Sequence, residues 1–185
     1  MNYNFRINLV EEYLKRVSLD EDIKSYYKDR TVLITGGAGA VGSNLLIALS
    51  LLVGEAGKVV VIDNLSSIKL KDTSNVMPMS NVMFVFGDIT SDEDLKRVFK
   101  EKPSIVFHLA AFFANQNSVD YPEKSAYVDV IGHAKLLEYS SLTGIDKFVY
   151  ASSGCAIYGS FPKMPLKEDF ISMHLTTPYQ INKMT

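Results

Sequence analysis

Thr35-Gly36-Gly37-Ala38-Gly39-Ala40-Val41-Gly42 stands between two apolar runs, Thr31-Val32-Leu33-Ile34 before it and Asn44-Leu45-Leu46-Ile47-Ala48-Leu49 after it. That order predicts a strand, a glycine turn and a helix. Glycines allow positive φ and carry no Cβ, so the backbone of such a turn can approach a phosphate closely. The helix behind it presents unpaired N–H groups and the positive end of its dipole. The pyrophosphate of a dinucleotide is the ligand this combination suits. Two overlapping spacings fit: Gly37, Gly39 and Gly42 satisfy GxGxxG, and Gly36, Gly39 and Gly42 satisfy TGxxGxxG. Glycines alone are weak evidence; the context requires a strand before, a helix after and an acid about 20 residues further on. Val59-Val60-Val61-Ile62 followed by Asp63 supplies the acid at the end of a second strand. The candidate pyrophosphate contacts are therefore Gly36, Gly39, Ala40, Val41 and Gly42.

Working outward, strands alternate with helical stretches. Strands are predicted over 31–35, 58–63, 82–87, 104–108 and 147–152, and helices over 40–53, 92–100 (capped by Ser91) and 122–143. A polar stretch, Ser66 to Ser80, shows little periodicity. Alternation of this kind specifies parallel pairing with right-handed crossovers, an α/β Rossmann-type doubly wound sheet. Upstream, Leu9, Val10, Tyr13, Leu14 and Val17 recur at helical spacing, and Ser18-Leu19-Asp20-Glu21 reads as a capping box opening a second helix. Residues 1–30 are thus expected to be a helical extension outside the nucleotide-binding unit, which spans 31–185. Their apolar stripe is expected to pack on this chain or on a sister subunit.

Composition narrows the function. The chain has 185 residues, 47% hydrophobic and 22% charged, with a net charge of −2, which suits one globular domain and offers no basic field for nucleic acid. Its longest apolar stretch, Leu45 to Val53, falls far short of the roughly 18–20 residues of a membrane span. The amino terminus has no apolar signal core, so a cytoplasmic location is expected. A single cysteine, Cys155, excludes an internal disulfide, and the three histidines show no metal-ligand spacing, so no metal is expected.

Asp63 is placed to accept hydrogen bonds from an adenosine ribose, and its charge would repel a 2′-phosphate, which favours NAD over NADP; Lys69 and Lys71 are the nearby counter-charges. Asp88, in Gly87-Asp88-Ile89, can reach an adenine amino group from the end of the third strand. His108-Leu109-Ala110-Ala111 ends the fourth strand, where small side chains let the backbone approach a cofactor. His108 itself precedes the strand end and reads as a core residue. After the fifth strand come Ser152-Ser153-Gly154-Cys155, and further on Thr177-Pro178-Tyr179-Gln180-Ile181-Asn182-Lys183, with Thr177 as N-cap and Pro178 at the first helical position. Tyr179 and Lys183 are i and i+4 on one helix face. Tyrosine, with a reference pKa of about 10, is a poor base near neutrality, and a neighbouring ammonium stabilises its phenolate.

With these residues together the chain resembles the extended short-chain dehydrogenase/reductase family, the NAD-dependent sugar-nucleotide epimerases and dehydratases. The resemblance spans about Thr31 to Lys183. It rests on Thr35 to Gly42, Asp63-Asn64-Leu65-Ser66-Ser67, Gly87-Asp88-Ile89, His108 to Ala111, Ser152-Ser153 through Tyr158-Gly159, and Tyr179 with Lys183. It implies cofactor contacts from Asn64, Ile89, Leu109, Ala110 and Ala111 besides those above. It also implies oxidation of a sugar carbon bearing a hydroxyl: Tyr179 takes the proton, Ser153 hydrogen-bonds the same oxygen, and Lys183 holds the nicotinamide ribose and lowers the tyrosine pKa. Counting back from Tyr158-Gly159 places the serine position at Gly154 instead. The family's usual asparagine in its Asn-Val-x-Gly-Thr stretch is Asp129 here. Dehydratases of the family carry an acid just after the catalytic Ser/Thr, and Gly154-Cys155 has none, so the resemblance points to epimerisation, with Cys155 as a candidate second acid/base. The alternatives are a dehydratase or reductase of the family, or a non-catalytic NAD-binding module. A homodimer is implied for the full-length protein. The fold pattern calls for a sixth strand, whereas the sequence stops at Thr185; the expectation is a chain truncated before that strand, without its substrate-binding half.

Overall fold

The computed structural model describes residues 3–67, 76, 79–159 and 164–185; Lys69 and Lys71 lie outside them. Two helices, α1 (Tyr3–Arg16) and α2 (Glu21–Tyr27), precede strand β1 (Thr31–Thr35), helix α3 (Ala40–Val53), β2 (Lys58–Asp63) and β3 (Val82–Phe86). Then follow α4 (Asp92–Phe99), β4 (Ile105–His108), α5 (Asn115–Asp120), α6 (Pro122–Ala126), a π-helical segment (Tyr127–Gly132), α7 (His133–Thr143), β5 (Lys147–Tyr150), α8 (Gly154–Ile157) and α9 (Pro178–Asn182). All strand pairs are parallel, in the order β3-β2-β1-β4-β5.

The period-2 alternation of β1 decides how the layers stack. Val32 and Ile34 face Leu46, Leu49 and Val53 of α3, while Leu33 faces Leu95 and Val98 of α4 and Leu136 of α7. The sheet is therefore covered on both sides, which is why its central strands read as continuous apolar runs. Side chains such as Leu33, Ile34, Leu46 and Leu136 are fully buried, each worth about 1.5–3 kcal/mol of burial. From β1 the chain crosses over one face through α3 and returns to β4 after covering the other. The crevice between the carboxyl ends of β1 and β4 is the switch point where open sheets of this kind bind ligands.

Helices α1 and α2 lie behind α3. The Arg6 guanidinium donates to Ser43 Oγ at 3.0 Å, and Tyr26 and Tyr27 pack against the lower core. Phe5, Leu9 and Tyr13 remain exposed along α1, and Val17 just past its end. Among the described residues no helix is long and apolar enough to cross a membrane, and no cluster of three or more His, Cys, Asp or Glu could hold a metal ion.

The structure corrects several expectations. Ser18 takes a left-handed φ of 46°, Asp20 is the N-cap of α2, and no side-chain cap bond forms, so the expected capping box is absent. The helix expected over 122–143 runs through α6, the π-helical segment and α7 with helical dihedrals at both junctions, and the structure adds the widened turn in its middle. An extra residue per turn leaves helical periodicity nearly intact in sequence, so that widening carries no pattern of its own. It turns Asp129 and Gly132 inward, and a Cβ at Gly132 would stand 2.9 Å from Ile89 Cδ1. Strand β5 ends at Tyr150 rather than 152, because the chain leaves the sheet there and enters the crevice.

Candidate cofactor and catalytic site

The cleft at the carboxyl edge of the sheet has a volume of about 560 Å³ and begins at the glycine turn. Gly36 sits at φ +72°, where a Cβ would meet Ala110 N at 2.7 Å. A Cβ at Gly42 would run into the Gly36 carbonyl oxygen and stand 2.7 Å from Gly37 Cα. These contacts are with backbone, so only glycine lets the turn close under α3. Gly36, Gly39 and Gly42 line the cleft; Gly37 is not part of its wall, and a Cβ there would lie 2.5 Å from Val61 Cγ1. The TGxxGxxG spacing is thus the one that faces the ligand space. Gly39 caps α3 without any side-chain bond, so no hydroxyl or carboxylate of the cap occupies the N–H groups of Ala40, Val41 and Gly42. That is the arrangement an anion needs.

Asp63, at the tip of β2, accepts from Ala38 N at 3.0 Å and from Leu65 N at 2.8 Å, which aims its carboxylate across the glycine turn. Asn64 donates from Nδ2 to Asp88 Oδ2 at 2.7 Å, and Asp88 Oδ1 accepts from Thr90 N and Thr90 Oγ1. Burial alone would raise the Asp88 carboxyl, but the bonds from Thr90 and Asn64, with the charge of Lys124, hold it below the usual carboxylate range. Ile89, Leu109, Ala110 and Ala111 form the opposite wall.

His108 is a core residue, 1% exposed, with Nδ1 2.7 Å from Thr35 Oγ1. Thr35 Oγ1 accepts from Ala110 N, leaving its own proton for the imidazole. Burial, then the charges of His133 and Lys183, pull His108 down to about 3, so it stays neutral and pins the wall at Ala110.

Helix α9 is one turn long and held from every side, as a helix too short to stand alone must be. Thr177 and Gln180 form a capping box, Tyr179 N donates to Ser118 Oγ of α5 at 3.0 Å, and Gln180 Nε2 donates to the Cys155 carbonyl at 2.9 Å. Lys183 N donates to Tyr179 O at 3.0 Å, which keeps the two side chains on one face, and both line the cleft. Lys183 Nζ donates to the Ala151 carbonyl at 3.1 Å and stands 4.5 Å over the Tyr150 ring. Burial pushes the Tyr179 phenol up, and the charges of Asp129 and Cys155 add to this, while a hydrogen bond from Ser153 opposes it. The resemblance gives Lys183 the task of lowering the Tyr179 phenol; here its ammonium bonds the Ala151 carbonyl and lies over the Tyr150 ring. Burial also lowers the Lys183 ammonium, against the charge of Asp129.

Ser153 lies beside the cleft rather than in its wall, with Oγ 3.1 Å from Cys155 Sγ, and its hydroxyl reaches the Tyr179 phenol. Gly154, the other serine-position candidate, starts α8 and has no side chain to offer. The preceding Ser152, quoted with Ser153 in the sequence, lines the cleft, as do Phe112, Phe113, Lys124 and Val128, which the sequence did not single out. Lys124 reaches it by lying 5.0 Å over the Phe112 ring, a contact between distant positions that no local motif announces.

Fold and cleft together define a dinucleotide-binding α/β protein. The model of the NAD dependent epimerase/dehydratase family matches residues 32–185, and the chain belongs to that family. A UDP-glucose 4-epimerase of Mycolicibacterium smegmatis is 37% identical over 153 residues, 82% of this chain and 47% of the relative. An epimerase from the methanogen Methanothermobacter thermautotrophicus superposes with a TM-score of 0.81 at 51% identity, covering 88% of this chain and 47% of that one. The Thermus thermophilus UDP-glucose 4-epimerase, solved in complex with NAD, gives a TM-score of 0.70 at 34% identity over 83% of this chain and 47% of its own. The chain spans about half the length of the relatives it matches.

Proposed function

We propose that this chain carries the NAD site and the acid/base residues of an enzyme that epimerises the sugar of a nucleotide sugar by transient oxidation. The observation that carries the reading is that Tyr179 and Lys183 share one cleft with the glycine turn and Asp63. The cleft fits the cofactor: Gly36 and Gly42 leave the space a Cβ would fill, the start of α3 is open to an anion, and Asp63 offers a carboxylate for a ribose rather than a 2′-phosphate. NAD, when bound, supplies the hydride acceptor and donor. Gly36 to Gly42 hold the diphosphate, Asp63 the adenosine ribose, Asp88 the adenine side, and the backbone of Leu109 to Ala111 the floor.

Tyr179 removes the proton from the reacting hydroxyl and returns it, with Ser153 orienting the same oxygen. Lys183, released from Ala151, holds the nicotinamide ribose and favours the phenolate. Positions 154 and 155 offer no carboxylate to expel a neighbouring hydroxyl, which supports epimerisation over dehydration; Cys155, beside Ser153, is the candidate second acid/base. The relatives named as UDP-glucose 4-epimerases support a UDP-hexose and its C4 hydroxyl. In this reading the substrate-binding half lies in further chain, and the complete protein is cytoplasmic and homodimeric. The helical extension at 1–30 rests on α3 and the lower core of the 31–185 nucleotide-binding domain.

The test is interconversion of UDP-glucose and its C4 epimer by the complete protein with NAD, read by chromatography of the sugar nucleotides. Formation of the epimer is the expected result; recovery of UDP-glucose and of every other UDP-hexose tried unchanged would refute the reading. One observation favours a second reading, a NAD-binding module without chemistry: the Tyr179 phenol is raised while the Lys183 ammonium is bonded to the Ala151 carbonyl. NAD binding without interconversion of any UDP-hexose by the complete protein would be its signature.

A further inference from the structure

A buried hydrogen-bond chain crosses beneath the cleft from the edge of β4 to the helix that bears Tyr179 and Lys183. Asp129, 4% exposed, accepts at Oδ1 from Phe112 N at 2.7 Å, and its Oδ2 lies 3.0 Å from Ser125 Oγ, which is fully buried. Ser125 Oγ in turn lies 3.0 Å from the Asn182 amide, one residue before Lys183. Counting protons decides the direction of this chain. With the Asn182 nitrogen toward Ser125, the amide donates to the hydroxyl, and the hydroxyl donates to an ionised carboxylate. With the amide turned over, its oxygen accepts from Ser125 Oγ at 3.0 Å and from Ala126 N at 3.3 Å, and its nitrogen donates to the Pro178 carbonyl at 3.3 Å. The second orientation satisfies the amide at both ends. Ser125 has then given its one proton to Asn182, so its contact with Asp129 Oδ2 requires the proton to sit on the carboxyl.

We propose that Asp129 is a positioning residue that works as a neutral carboxylic acid, donating to Ser125 and through it fixing Asn182 and the face of α9 that presents Tyr179 and Lys183. Its meaning for catalysis rests on the function proposed above. Burial supports it by pushing the Asp129 carboxyl up, against the bonds from Phe112 and Ser125 and the charge of Lys183. The groups that face Asp129 are Tyr179 of α9, Lys183 at its C-cap and Tyr150 of β5; Lys124 of α6 turns to Asp88 and Phe112, and His108 and His133 face Lys183. Tyr150, buried and set against Asp129 and Tyr179, is pushed up to about 12 and stays a neutral phenol. A charge on Asp129 opposes a phenolate at Tyr179, so the neutral acid removes that penalty from the base the reaction needs.

Asp129→Asn imitates the neutral acid: its oxygen keeps the Phe112 bond and its nitrogen donates to Ser125. The experiment follows the thermal unfolding midpoints of the 185-residue chain and of Asp129→Asn between about pH 4, near the unfolded aspartate pKa, and about pH 8. A carboxyl that keeps its proton when folded but loses it when unfolded contributes stability that is complete below the unfolded pKa. That contribution is lost as pH rises through the folded one. The midpoint of the natural chain relative to Asp129→Asn is therefore expected to fall as pH rises through this window. A relative midpoint that rises with pH, or stays flat, would overturn the proposal. A second measurement needs no variant: in carbon-13 aspartate-labelled chain, one side-chain carboxyl should remain protonated where the others have titrated, and its absence would also overturn the proposal. Neither readout uses NAD or a sugar nucleotide, so failure here leaves the epimerase reading standing, and absent turnover leaves this one standing.

Discussion

Tyr179→Phe is expected to lower epimerase turnover by about 10²–10⁴-fold, the usual range for loss of a positioned acid/base, while NAD affinity stays unchanged. The variant should leave the architecture intact for identifiable reasons. The phenyl ring fills the same buried space and keeps its edge-on contact with Phe113, at 5.9 Å between ring centres. The Tyr179 N bond to Ser118 Oγ involves only backbone at position 179. What disappears is the hydroxyl and its bond from Ser153. The pH dependence carries the same information. Because burial raises the phenol, the ionised form is scarce at neutrality, and natural turnover should climb as pH rises. In Tyr179→Phe that climb should vanish along with the rate. Turnover unchanged from the natural protein in a steady-state assay would remove Tyr179 from the chemistry.

Gly42→Val should weaken NAD binding on the order of 100-fold, ~2.7 kcal/mol. It should also destabilise the chain by about 1–3 kcal/mol, the cost of forcing a side chain into a closed packing. The new Cβ would collide with the Gly36 carbonyl oxygen and with Gly37 Cα, which are backbone atoms of the turn and cannot swing aside as a side chain can. Either the turn opens, and the N–H groups at the start of α3 lose their aim, or α3 backs away from the sheet. Gly39→Ala is the graded comparison, since its Cβ would stand 3.3 Å from the same oxygen and a small shift relieves it. Calorimetry and urea unfolding of both variants measure the two effects. Equal NAD affinity in Gly42→Val and the natural chain would mean that the diphosphate does not sit on this turn.

The layers were legible because apolar alternation, glycine turns and strand-end acids are local signals. Val32 and Ile34 against Leu33 already separate the two faces of β1, and Asp63 stands at the tip of β2 where the spacing from the glycines puts it. The TGxxGxxG and GxGxxG spacings could not be separated in sequence; the packing of Gly37 on Val61 separates them. Less legible were features fixed by contacts between distant segments. The short helices α5 and α8 owe their form to what they hold, Ser118 bonding Tyr179 N and the Cys155 carbonyl bonding Gln180. Ser18-Leu19-Asp20-Glu21 has the letters of a capping box, yet the left-handed turn at Ser18 takes its side chain out of reach. Asp129 was visible only as a departure from a family pattern. Its partners Phe112 and Ser125, and Asn182 beyond Ser125, belong to three separate stretches of chain that meet at the π-helical turn.

Titration calorimetry of the 185-residue chain with NAD and then with NADP tests the central claim most directly, because both the glycine turn and Asp63 must act for the predicted outcome. Saturable binding of NAD with clear preference over NADP is the result this account predicts. Binding of neither nucleotide, or a preference for NADP, would contradict it.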